Sequence, residues 1–279
     1  MVTILEKKEL APKCWQFVLQ APLIVRKAKA GQFVVLRVDE SGERIPLTIA
    51  NKNPEAGTIT IVFQEVGQTT AKLAKLEEGG QISNLLGPLG HPTEIKHYGT
   101  VVCIGGGIGA APIYPIISAM REQDNQVIAI IGARSRNFLI MEKEIREKSS
   151  QMIVTTDDGS YGHHGFVTDE LKRMIELGMH IDLVVAIGPV VMMQAVCGVT
   201  KKYGIKTLVS LNPIMVDATG MCGACRVSVG GQTKFTCVDG PEFDGHEVDF
   251  DLLRRRQAMY QPEEKQANEA YRQKCERCK

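Results

Sequence analysis

Charge of one sign is missing from this chain: 33 Lys and Arg stand against 32 Asp and Glu, a formal net charge of +1 over 279 residues. Without a basic excess there is no bulk attraction to nucleic acid or to an anionic membrane, so small molecules and proteins are the expected partners. A signal peptide is not expected either. The opening "MVTILEKKELAPK" alternates like a strand and carries charge by its sixth position, with neither the apolar segment nor the small-residue cleavage site of a secretory leader. A cytoplasmic location is therefore expected. One uncharged run, Tyr98 to Met120, has the length of a membrane span, but it holds "GGG", Pro112 and Pro115 and reads better as a buried strand, a glycine turn and a helix. Internal repeats and low-complexity segments are also missing.

The chain has eight cysteines, falling as two CxxC pairs and four singles. Without a secretory leader, reduced thiols and metal ligation are expected over disulfides. Cys14, Cys103 and Cys197 stand in apolar strand or helix contexts and read as packing residues.

Residues 1–97 form short alternating segments separated by glycine, proline and Asn–Pro turns, the pattern of a small antiparallel β-barrel, with one helical stretch, "TTAKLAKLEEG". Over 98–206 continuous apolar runs such as "TVVCIGG", "QVIAIIGA" and "DLVVAIG" alternate with helical ones, which predicts a parallel sheet covered on both faces. Residues 207–250 carry a cysteine motif, and 251–279 read as a charged helical tail broken at Pro262, solvated by default. The expected fold class is thus a β-barrel followed by an α/β domain and a small cysteine-bearing domain.

Three stretches have the chemistry of a ligand site. "RIPLTI" sets Arg44, Pro46, Leu47 and Thr48 at the start of a barrel strand, and "EVGQTTAKL" ends a strand at Gly67 and starts a helix with Thr69 and Thr70. Free amides and hydroxyls at a helix start suit a pyrophosphate. In "VVCIGGGIGAAPIYP", Gly105, Gly107 and Gly109 follow a buried strand and open a helix, the context of a phosphate-cradling loop. The strand after it ends in Arg134, Ser135 and Arg136, not in an acidic residue, so NAD(H) and NADP(H) both stay open. His163 and His164 in "TDDGSYGHHG" read as solvated.

"VDATGMCGACRV" places Cys222 and Cys225 around two small residues, and "RVSVGGQTKFTC" folds at Gly230–Gly231, bringing Cys237 beside Cys225 at a cross-strand distance of about 5 Å. Three thiols suit zinc or an iron–sulfur cluster, but either needs a fourth ligand, for which Asp217 is the nearest upstream candidate. The closing pair, Cys275 and Cys278, supplies two ligands at most, and its role is unassigned.

The order of barrel, Arg–Thr strand, Gly–Thr helix start and α/β domain resembles the ferredoxin-NADP reductase superfamily, as does "GPLGHP" from Gly87 to Pro92. That resemblance implies FAD on the barrel near Arg44 to Thr48 and nicotinamide-side loops at Asp157 in "TDDGSYGHHG" and Gly188–Pro189 in "AIGPVVMM", although "RIPLT" has one residue more than the Arg-x-Tyr-Ser type and lacks its tyrosine, and Ile187 stands where a cysteine is usual before the Gly–Pro. The electron-transfer subunit of dihydroorotate dehydrogenase, a related family, carries C-x4-C-x2-C around a [2Fe-2S] cluster, and here Asp217 takes the place of the first cysteine. "NPIMVDATGMCGACRVSVGGQTKFTCVDGPEFDGHEVDFD" resembles the small subunit of NADH-dependent reduced ferredoxin:NADP oxidoreductases. This second resemblance runs from the barrel to about residue 255. It implies FAD, a nicotinamide, an aspartate-ligated [2Fe-2S] cluster, and a larger flavin and [4Fe-4S] subunit as heterodimer partner, with ferredoxin reached through that partner. The alternatives are an electron-transfer subunit of dihydroorotate dehydrogenase and, in another class, a zinc-stabilised nucleotide-binding module without redox activity.

Overall fold

A computed structural model describes residues 1–276. The strands of the first unit are β1 (Val2–Ala11), β2 (Cys14–Gln20), β3 (Phe33–Arg37), β4 (Arg44–Asn53), β5 (Thr58–Gln64), β6 (Gln81–Ile82) and β7 (Asn84–Leu89), with helices α1 (Pro22–Val25) and α2 (Gln68–Ala74). The stretch "GQISNLLGP" is thus two strands, divided at Ser83. All seven pair antiparallel in the order β6-β1-β2-β5-β4-β3-β7, a nearly closed barrel. Alternation puts Phe17, Leu19, Ile59, Ile61 and Phe63 inside, where the rings of Phe17 and Phe63 meet edge to face at 5.0 Å.

The second unit is built on β8 (Thr100–Gly106), β9 (Gln126–Ala133), β10 (Gln151–Thr156), β11 (His163–His164), β12 (Leu183–Ile187) and β13 (Thr207–Ser210), all paired in parallel. Both faces are covered, which is why these strands are apolar at nearly every position. Helices α3 (Ala110–Arg121) and α4 (Glu142–Lys148) pack on one face against Val101, Cys103, Val127 and Ala129. Helices α5 (Val167–Glu176) and α6 (Val190–Lys202) pack on the other against Val102, Ile104, Ile128 and Ile130.

The last unit starts with the hairpin β14 (Arg226–Val229) and β15 (Gln232–Phe235), which turns on Gly230 and Gly231 at φ 58° and 73°. Both turn positions are left-handed, which explains the glycine pair. After α7 (Thr236–Asp239), strand β16 (Glu242–Asp244) returns to pair antiparallel with β13, so the cysteine segment leaves the large sheet and rejoins it.

The tail differs from a solvated default. Phe250 and Leu253 of α8 (Phe250–Gln257) are buried in the core that α5 and α6 share with Val227 and Val229. Pro262 lies in the first turn of α9 (Gln261–Glu276), where its missing amide costs no helical bond. Lys75, just past α2, sits over the Tyr271 ring of α9 at 4.7 Å. Cys275 falls in the last turn of α9, and Cys278 lies outside the described residues. Among the described residues no helix is long and apolar enough to cross a membrane.

Candidate redox site between barrel and sheet

A cleft of about 1030 Å³ opens between the barrel and the carboxyl ends of β8, β9, β10 and β12. Open α/β sheets bind ligands at that edge, because loops and helix starts converge there with unpaired amides. Of the residues singled out from sequence, Pro46, Leu47 and Thr48 line its barrel side, and Gly107, Gly109, Arg134, Asp157, Gly188 and Pro189 line its sheet side.

The three glycines of the turn after β8 do different things. Gly105 packs its backbone on α3, since a Cβ there would lie 3.0 Å from the Ala110 Cα. Gly107 has φ 55° and nothing within 4 Å of where a Cβ would be, so it leaves the cleft open. At Gly109 a Cβ would run into the Ile187 carbonyl, so this glycine lets the turn close on β12.

Other predicted residues stand outside the cleft wall. Arg44 is exposed opposite Arg37 in the β3–β4 ladder. Thr69 donates to Glu43 Oε2 at 3.4 Å, and Thr70 Oγ1 accepts from the Val66 and Gly67 amides at 3.0 Å, so its hydroxyl serves its own turn. Ser135 precedes a short helical turn, and Arg136 lies over the Tyr161 ring at 5.1 Å while its amide donates to Ser160 Oγ at 2.9 Å.

The four candidate metal ligands occur as two pairs. Asp217 accepts from the Thr219 and Cys222 amides, each at 2.9 Å, and these amides, Thr219 foremost, hold its carboxyl below the usual range. Across the hairpin the Sγ atoms of Cys225 and Cys237 lie 3.2 Å apart, and burial pushes the Cys237 thiol up to about 12. Cys222 is exposed, with the Ala224 amide 3.5 Å from its sulfur. Among the described residues no three His, Cys, Asp or Glu side chains already converge as a closed metal site. Two pairs of donors suit a two-iron cluster, in which each iron takes two protein ligands, better than a single zinc, which needs four donors around one point.

Phe33 joins the two regions, and its role could not be foreseen from the sequence. It faces Thr48 in the β3–β4 ladder, lines the cleft, and packs in one apolar cluster with Cys225, Cys237, Ala218 and Val35. The cysteine loop therefore sits on the back of the cleft wall. Cys14, Cys103 and Cys197 are buried, and burial raises all three thiols, Cys14 to about 11 and Cys197 to about 12.

Two family models match the chain: the iron-sulfur cluster binding domain of dihydroorotate dehydrogenase B over residues 212–249, and the oxidoreductase NAD-binding domain over residues 103–198. A dihydroorotate dehydrogenase B electron transfer subunit homolog from Thermotoga maritima is 46% identical over 268 residues, covering 96% of this chain and 94% of that one. The dihydroorotate dehydrogenase B electron transfer subunit of Bacillus cereus is 32% identical, covering 88% of this chain and 96% of that one. A chain in a structure of the NADH-dependent reduced ferredoxin-NADP oxidoreductase, described for flavin-based electron bifurcation, superposes with a TM-score of 0.92 at 45% identity, covering 97% of this chain and 98% of that one.

Proposed function

The chain belongs to the family of dihydroorotate dehydrogenase B electron transfer subunits and their homologues, and we propose that it is the FAD and [2Fe-2S] subunit of an NADH-dependent ferredoxin:NADP oxidoreductase of the bifurcating type. The observation that carries this reading is the single cleft shared by Pro46–Thr48 and the Gly107–Gly109 turn, with Phe33 standing between it and Cys225 and Cys237. Whole-chain likeness to the solved oxidoreductase chain, and Asp217 at the first ligand position, favour it over a dihydroorotate dehydrogenase subunit.

Flavin, when bound, exchanges a hydride with a nicotinamide and single electrons with an iron–sulfur cluster. The chain's own residues provide the positions. Leu47 and Thr48 offer a barrel-side wall for the flavin, and Thr69, bonded to Glu43 next to Arg44, brings the Gly67–Thr70 turn to the start of the same strand. Gly107 leaves room for a dinucleotide at the sheet edge, where Gly109, Gly188 and Pro189 line the cleft and Arg134 and Asp157 flank it. No side chain need act as acid or base, since hydride transfer requires alignment. Phe33, 4% exposed, keeps water from the space between cleft and thiols. Asp217, Cys222, Cys225 and Cys237 hold the cluster. A larger flavin and [4Fe-4S] subunit completes a cytoplasmic heterodimer and exchanges electrons with ferredoxin.

Native anaerobic purification followed by cofactor analysis tests the proposal. FAD, iron and acid-labile sulfide are expected, with a flavin and iron–sulfur partner attached. Zinc without iron would support a nucleotide-binding module instead, and a dihydroorotate-oxidising partner would move the chain to the related enzyme.

A further inference from the structure

Two arginines grip the loop between the first two thiols. Arg226 Nη1 donates to the Gly223 carbonyl and Arg256 Nη2 donates to the Ala224 carbonyl, both at 3.0 Å. Gly223 and Ala224 are the two residues between Cys222 and Cys225. The peptide group whose oxygen Arg226 holds is the one whose amide points at Cys222 Sγ, 3.5 Å away. A guanidinium on the oxygen polarises that peptide and strengthens its N–H toward the sulfur.

Arg256 is not a free tail residue. Asp249 caps its helix, accepting from the Leu252 amide at 2.8 Å, and Leu253 is 1% exposed beneath it. The next residue, Gln257, donates to the Asn212 carbonyl at 2.8 Å, tying α8 to the other end of the cysteine loop. Arg256 Nε is buried without a partner, a cost with no return if the side chain served packing alone. Its charge is permanent, because guanidinium does not titrate in this range.

The geometry points to Arg226 and Arg256 as positioning residues that raise the reduction potential of the cluster held by Asp217, Cys222, Cys225 and Cys237, an inference that rests on the cluster reading above. Reduction adds one negative charge to the cluster. Fixed cations on the loop, and a stronger amide on a ligand sulfur, stabilise the reduced form more than the oxidised one.

The test is a redox titration of the intact complex, followed by electron paramagnetic resonance of the reduced cluster, with iron and sulfide measured on each sample. Arg226→Gln and Arg256→Gln are each expected to keep the cluster and shift its midpoint to more negative values. Together they should cost about tenfold in the reduction equilibrium, which is 59 mV for one electron. Arg256→Lys, which keeps the charge, should shift less than Arg256→Gln. An unchanged midpoint in fully loaded Gln variants overturns the inference, as does a Lys variant shifted as far as the Gln one. Should Arg256→Gln not load iron, Arg226→Gln at its exposed position decides alone. Wild-type protein without iron and sulfide would instead overturn the cluster reading itself.

Discussion

Cys225 and Cys237 bring their Sγ atoms within 3.2 Å of each other inside the protein, while Cys222, three residues from Cys225, faces solvent. Accessibility therefore ranks the three thiols when the metal is removed. In the apoprotein N-ethylmaleimide should label Cys222 at least tenfold faster than Cys225 or Cys237, following exposure. Metal-loaded protein should protect all three. Peptide mapping by mass spectrometry over a time course reads the order, and equal rates at the three sites would contradict it.

Asp217 is held by two backbone amides as a carboxylate and is the proposed fourth cluster ligand. Asp217→Cys should retain iron with a changed midpoint, because thiolate is the softer and more covalent donor. Asp217→Ala should lose or weaken cluster binding. If occupancy and potential matched the wild type in both variants, the fourth ligand would lie elsewhere.

The glycine turn separates packing from binding. Gly109→Ala drives a methyl group into the Ile187 carbonyl and should cost about 1–3 kcal/mol of stability, seen as a lower unfolding midpoint, along with a weaker nicotinamide response. Gly107→Ala meets open space and pays only for its left-handed backbone, about 1 kcal/mol, so its main effect should be on the KM for the nicotinamide cofactor. Thermal unfolding and flavin reduction titrations on both variants distinguish them, and the opposite ranking of stability losses would be wrong for this geometry.

Glu242 on β16 links sheet to barrel, accepting from Thr93 Oγ1 at 2.6 Å, and burial pushes its carboxyl up to about 7 against a smaller opposing effect of that hydrogen bond. The unfolded chain releases this proton near the ordinary glutamate value, about 4.3, so between there and about 7 the native state holds the extra proton. Stability from this group is accordingly present at low pH and lost as pH rises through that window, levelling off above it. Glu242→Gln removes the dependence. Relative to wild type, the variant should gain about 2 kcal/mol between pH 5 and pH 8 in urea unfolding. Parallel pH profiles would exclude the effect.

Local pattern carries most of the fold. Alternation in "CWQFVLQ" and "TITIVFQ", apolar runs in "TVVCIGG" and "QVIAIIGA", and the Gly230–Gly231 turn each specify their element from neighbouring residues, so barrel, parallel sheet and hairpin are legible. The hairpin also makes the pairing of Cys225 with Cys237 legible, because a two-residue turn sets register. Phe33 is illegible as a wall between cleft and thiols: nothing within its own strand encodes contact with residues some two hundred positions later. Arg256 is hidden for a related reason. Half of its helix is charged, which in sequence suggests solvent, and Phe250 and Leu253 are the residues it buries. The sheet's last strands, β13 and β16, are short and lie beyond a helix end, where sequence boundaries are weakest.

Ser210 and Glu242 are ladder partners in the β13–β16 pair, so residues 211–241 begin and end at neighbouring points of one sheet. The cysteine segment is consequently a closed excursion from the nucleotide sheet, clamped like a handle at both ends. Beyond those ends it rests on Phe33 and Val35 of the barrel, so a swing of the segment away from the cleft must break that apolar contact. The thiols are therefore braced by both units, tethered through the chain to the sheet and seated on the barrel.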